Sequence, residues 1–131
     1  MLKDYRDLVV WQKAMEFVER IYRASDRFPK LEEYGLKAQI RRGAVSVRSN
    51  IAEGHSRTST REYLHHLSIA RGSLCEVETQ LLLAGRLHYL DESDTKQLIE
   101  ASAVVKRLMN ALLSALRNRL TSQPPTLNPN P

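Results

Sequence analysis

The chain has 131 residues, 42% of them hydrophobic, and a formal net charge of +5. That composition suits one domain of ordinary soluble character, long enough to bury a continuous core without metal or disulfide staples. A lone cysteine, Cys75, excludes an intrachain disulfide framework and fits a reducing cytoplasm; the N-terminus lacks a signal-peptide core, and no apolar run reaches the roughly 18 residues of a membrane span.

All prolines except Pro29 crowd the C-terminal end, and the rest is rich in Leu, Ala, Glu, Arg and Gln, which favours helices. The first amphipathic segment spans residues 8–25. Leu8, Trp11, Met15, Val18 and Tyr22 recur at three- and four-residue steps and predict one buried face. Pro29 blocks its continuation. The second segment begins near Glu32 and carries Leu36, Ile40, Ala44, Val47 and Ile51, with Gly54 as the expected left-handed stop. Ser59 and Glu62 have capping-box spacing at the head of the third. Its stripe is Tyr63, Leu67, Ala70, Leu74, Val77 and Leu81, and Gly85 marks its exit. Acidic residues between Asp91 and Asp94 favour the start of the fourth, whose seam is Leu98, Val105, Leu108, Leu112 and Leu116. Short connections make successive helices antiparallel, so the expected fold is all-α, an up-down-up-down four-helix bundle over residues 1–120. Residues 121–131, polar and proline-rich, are expected to be disordered.

Charge is uneven along this frame. Between Tyr34 and Arg61 stand six Lys or Arg residues and one acid, Glu53. At about 100° per residue, Lys37, Arg41 and Arg48 fall within about 40° of one another, beside the apolar stripe, while Arg42 points elsewhere. Such an array suits phosphates, whose neutralisation releases counterions; it equally describes a solvated helix face. No aromatic residues interleave it, so a base-stacking platform is not expected. Ser46, Ser49, Asn50, Glu53, Ser73, Glu76 and Glu78 border the seams of the second and third helices. They predict either an interhelical hydrogen-bond network or the lining of a pocket or subunit contact.

Enzyme chemistry finds little footing. Glu62-x-x-His65 has the spacing of half a di-iron motif, but a bundle site needs the motif twice. His65 and His66 are expected to be exposed or interfacial, and Cys75 a buried, inert thiol. The scattered glycines make no phosphate loop, so neither a metal nor a cofactor is expected. Apolar residues beyond the stripes, Val9, Val10, Phe17 and Ile21 on the first helix and Leu64, Ile69, Leu82 and Leu83 on the third, suggest a second buried face and hence self-association.

The stretches DLVVWQKAMEF, FPKLEEYGLKAQIRRGAVSVRSNIAEG and REYLHHLSIARGSLCEVETQLLLAGRLHYL resemble the bacterial four-helix bundle family, also called the 23S rRNA intervening-sequence protein family. The resemblance covers roughly residues 5–120 and rests on Trp11-Gln12-Lys13, Phe28-Pro29, the Ser49–Gly54 run and the Ala70–Leu74 run. Arg48 stands where that family often has proline. By this resemblance the chain is similar to the accessory variability determinant proteins of diversity-generating retroelements, basic pentameric barrels that work with a reverse transcriptase and nucleic acid. It therefore implies a homopentamer that binds RNA or DNA, or that serves a reverse transcriptase or other protein partner, with no catalytic residues to carry over and no membrane. The candidate nucleic-acid contacts are Lys37, Arg41, Arg42 and Arg48, extended by Arg57, Arg61 and Arg71.

Overall fold

The computed structural model describes residues 4–122, and every regular element among them is helical. Four long helices, α1 (Val9–Ser25), α2 (Leu36–His55), α3 (Thr60–Arg86) and α4 (Glu92–Ser122), follow a short 3-10 turn at Tyr5–Asp7. Each helix packs on its two neighbours in the ring, α4 closing onto α1, and among the described residues the backbones of neither diagonal pair come within 8 Å, Cα to Cα. Cross-links reveal the directions. Ser46 meets Ser73 while Asn50 meets His66, so α2 and α3 run oppositely, and Arg27 reaches Asp94 where α1 ends and α4 begins. The result is an antiparallel four-helix bundle.

The buried face of α1 is Val10, Ala14, Phe17, Val18, Ile21 and Ala24, turned by one residue from the expected stripe. Two overlapping heptad series compete on this helix. Phe17 and Ile21 fill the interior with the small Ala14 between them, while Trp11 and Tyr22, each with a polar tip, take the border. Val10, Phe17 and Ile21 therefore belong to the core of the single bundle, and of the surplus residues on α1 only Val9 is exposed.

The second helix starts four residues later than expected. Lys30–Glu32 forms a separate 3-10 turn, and Glu32 serves as an anchor outside the helix. Its Oε1 accepts from the Leu36 N–H at 3.0 Å and its Oε2 from the Tyr89 hydroxyl at 2.9 Å, tying the head of α2 to the α3–α4 connection. The Leu36 N–H and then the Tyr89 hydroxyl hold this carboxyl below the usual range. Gly54 is not the stop. It lies buried in the last turn of α2 with ordinary helical backbone, because a Cβ there would stand 2.9 Å from Tyr63 Cδ1 and 3.0 Å from His66 Cβ. The glycine is needed for helix contact and not for a turn.

At the head of α3 the hydroxyl half of the capping box forms, Ser59 Oγ accepting from the Glu62 N–H at 3.1 Å. Gly85, expected at the exit, is also helical; it leaves room for Thr95 of α4, whose Oγ1 would sit 2.8 Å from an added Cβ. The left-handed residue is His88, at φ 62°. Asp91 Oδ1 then caps α4 by accepting from the Asp94 N–H at 2.7 Å. In α4, Leu98, Val105 and Leu116 are buried as expected, but Met109 and Leu113 take the inner positions beside half-buried Leu108 and Leu112. The helix continues through Ser122, so the first two positions of the expected disordered tail are helical; residues 123–131 lie outside the described residues. Cys75 is exposed, because the core-facing stripe passes through Leu74 and Val77 on either side of it.

Candidate nucleic-acid interface

The fold divides the seven basic candidates among separate places. Lys37 and Arg41 lie in the α1–α2 seam. Arg41 Nε donates to Ser25 Oγ at 2.8 Å, and its Nη2 donates to the Tyr22 carbonyl and to Asp26 Oδ1, both at 2.9 Å. Its guanidinium also sits 4.5 Å from the centre of the Tyr22 ring. Lys37, with a side chain only 14% exposed, pairs with Glu33 at 3.1 Å and Asp26 at 3.7 Å. The Arg41 guanidinium, seconded by Lys37, holds the Asp26 carboxyl below the usual carboxylate range. These two cations thus staple the end of α1 to α2.

Arg48 continues the same edge, half-buried, with Nη1 donating to Ser49 Oγ at 3.2 Å and no acid partner among the described residues. Arg57 pairs with Glu53 beside the α2–α3 turn, and Arg61, exposed in the first turn of α3, has no partner among the described residues. Arg71 projects from the outer side of α3 beside Ser68, Gly72 and Cys75, also without a partner. Arg42 opens into a groove of about 480 Å³ between α2 and α3, shared with Gly43 and Ser46 on one wall and Ser73, Glu76 and Gln80 on the other. It too is unpaired. Arg42, Arg48, Arg61 and Arg71 thus remain available to an anion.

The polar residues near the α2–α3 seam do form a network. Ser46 Oγ and Ser73 Oγ are 2.8 Å apart, and Asn50 Nδ2 donates to the Ser46 carbonyl at 3.0 Å and its hydroxyl at 3.2 Å. Since a carbonyl only accepts, this fixes the Asn50 amide and turns its Oδ1 to His66 Nδ1 at 3.1 Å, so that nitrogen carries the proton. His66 was absent from the expected set; its position seven before Ser73 was the available signal. Ser49 and Glu53 face solvent instead, and Glu78 pairs with Lys106 of α4 at 2.7 Å. The sequence also gave no prominence to Arg20 on the α1–α4 side, although Arg20, Arg23 and Arg27 recur at helical spacing. Arg20 has no partner among the described residues, whereas Arg23 pairs with Glu19 and Arg27 with Asp94.

A family model described as 23S rRNA-intervening sequence protein matches residues 6–111. No curated protein matches the sequence. Among solved structures, a crystal structure of a protein of unknown function from the S23 ribosomal protein family of Bacteroides thetaiotaomicron is similar. It is 25% identical, with 80% of this chain and 98% of that chain covered, at a TM-score of 0.75.

Proposed function

The chain belongs to the 23S rRNA-intervening sequence protein family, and from that premise we propose that it is a non-enzymatic, cytoplasmic, homo-oligomeric bundle that binds structured RNA or an RNA–DNA intermediate through phosphate contacts. One observation supports this reading above the rest: Arg42, Arg48, Arg61 and Arg71, all on α2 and α3, have no acid partner among the described residues. A guanidinium can give a phosphate two hydrogen bonds at once. Lys37, Arg41 and Arg57 hold acids within the fold and contribute background potential. Association of copies, as pentamers by the family likeness, would align several such sets and multiply their avidity.

The rival reading is a protein-interaction scaffold, such as an accessory subunit for a reverse transcriptase or another partner. Ile69, Leu82 and Leu83, exposed along α3, and Leu87 just past its end favour it. Light-scattering mass on a sizing column, with and without a pool of structured RNA, separates the two. A particle of several subunits that takes up RNA at low salt and releases it at high salt supports the phosphate reading. A particle that ignores RNA at every salt concentration overturns it in favour of the scaffold.

A further inference from the structure

Two unlike apolar features stand at one end of the bundle. The connection between α1 and α2 raises Leu31 and Tyr34 clear of the surface, 79% and 95% exposed. They lie three apart in a turn of 3-10 hydrogen bonds, Glu33 N–H to the Lys30 carbonyl and Gly35 N–H to the Glu32 carbonyl, so they point the same way. Glu32, between them, is held at both carboxylate oxygens by Leu36 and Tyr89, which makes the projection rigid. The other feature is a groove of about 710 Å³ between α3 and α4, with Leu82 and Ile99 on its walls. Its α4 side carries Glu92 and Lys96, one helical turn apart, neither with a charged partner among the described residues.

The two features match each other but do not meet within one chain. In the ring of helices the α1–α2 edge stands opposite the α3–α4 edge. The hydrogen bond from Tyr89 to Glu32 sets the connection at the level where α3 gives way to α4, which is the level of the groove. A second copy placed alongside therefore brings its projection to this groove without an axial offset. Charge follows the same match. Lys30, with no charged partner among the described residues, flanks Leu31, and Glu33, which also holds Lys37 at 3.1 Å, flanks Tyr34. We infer that Leu31 and Tyr34 of one copy seat in the α3–α4 groove of the next, against Leu82 and Ile99, with Lys30 toward Glu92 and Glu33 toward Lys96. An aromatic anchor held rigid before contact loses little entropy on binding. Because the two surfaces differ, the contact runs head to tail, and with no axial offset it closes into a ring and not a filament.

This inference rests on the homo-oligomeric part of the proposed function, and the test keeps the two apart. One variant, Leu31→Ser with Tyr34→Ser, lacks the projection and keeps the groove; another, Leu82→Lys, spoils the groove and keeps the projection. All three positions are exposed, so both variants should keep the wild-type circular dichroism. By light-scattering mass at high protein concentration, each variant alone should be a single chain. Their equimolar mixture should form a particle of two chains and nothing larger, since one intact projection then meets one intact groove. Wild-type mass in either variant overturns the inference and leaves self-association through another face. Single chains in the mixture as well as alone overturn the pairing of projection with groove. A wild-type protein that is itself a single chain overturns both the inference and the oligomeric reading, and its uptake of RNA would show that phosphate binding stands apart from them.

Discussion

Arg41 stacks its guanidinium against the Tyr22 ring, 4.5 Å from its centre, while donating to the Tyr22 backbone carbonyl at 2.9 Å. The residue is thereby committed to the end of α1, where it also satisfies the buried Ser25 hydroxyl. Arg42, its neighbour in sequence, is exposed and unpaired. Arg41→Ala should therefore destabilise the fold by about 2 kcal/mol, the scale of hydrogen bonds to a charged group, and Arg42→Ala should leave thermal unfolding almost unchanged. Differential scanning calorimetry checks both. Equal melting temperatures for the two variants would refute the division of labour.

Gly54 of α2 and Gly72 of α3 should respond in opposite directions. Gly54→Ala drives a methyl to 2.9 Å from Tyr63 Cδ1 and should cost about 1–3 kcal/mol through overpacking. Gly72 has nothing within 4 Å of an added Cβ and lies mid-helix, so Gly72→Ala should stabilise by about 0.5–1 kcal/mol. Urea denaturation of the two variants, with m-values compared, measures both signs.

Gly54 also shows where sequence reading reaches its limit. A helix stop and a close-contact glycine are indistinguishable along one strand of text, because Tyr63 and His66, which demand the missing Cβ, belong to the next helix. By contrast, the cap at Ser59, the stop before Pro29 and the stripe from Leu36 to Ile51 are local, set by one residue's chemistry or by a period of 3.6, and these were legible. Arg41 stands among the candidate phosphate contacts of the sequence, and its partners in the fold escape notice for the same non-local reason. Its acceptors Asp26 and Ser25 lie 15 and 16 residues back, and only the α1–α2 packing brings them in reach. The alternative faces of α1 differ by one residue in register, a choice made by its neighbours and not by its own pattern. At the candidate interface, the sequence marked the arginines but not which of them the fold would neutralise.

Acid should dissolve the Arg41–Asp26 link. The Asp26 carboxyl titrates lower in the folded state than in the unfolded chain, so its contribution is present above the unfolded value, about pH 4, and is lost as pH falls through the lower folded value. The difference in melting temperature between wild type and Asp26→Asn should thus be open at pH 7 and narrow progressively as the solution is acidified below about pH 4. A difference that persists undiminished in acid would contradict the pairing.

RNA affinity should fall steeply with salt, with a log–log slope proportional to the number of phosphates neutralised. Replacing Arg42, Arg48, Arg61 or Arg71 singly by Gln should reduce that slope by about 1 for each residue in contact, whereas Arg57→Gln should leave it nearly unchanged. Anisotropy titrations at several salt concentrations give the slopes directly.

Cys75 should react with a maleimide in the native protein at a rate close to that of a small thiol, without prior denaturation. Mass spectrometry after a short exposure should show one adduct per chain. Protection of this thiol in the assembled particle would place the outer side of α3 against another subunit.

The hydrogen bond between Ser46 and Ser73 ties together two helices joined by only the short link at 56–59. Closing so small a loop costs little chain entropy, and the contacts it brings are close in sequence. The α2–α3 hairpin is thus cheap in chain entropy, and α1 and α4 pack against it from either side. Its polar cross-links act as a vernier: with Ser46 set against Ser73 and Asn50 against His66, they favour one axial alignment of the two helices.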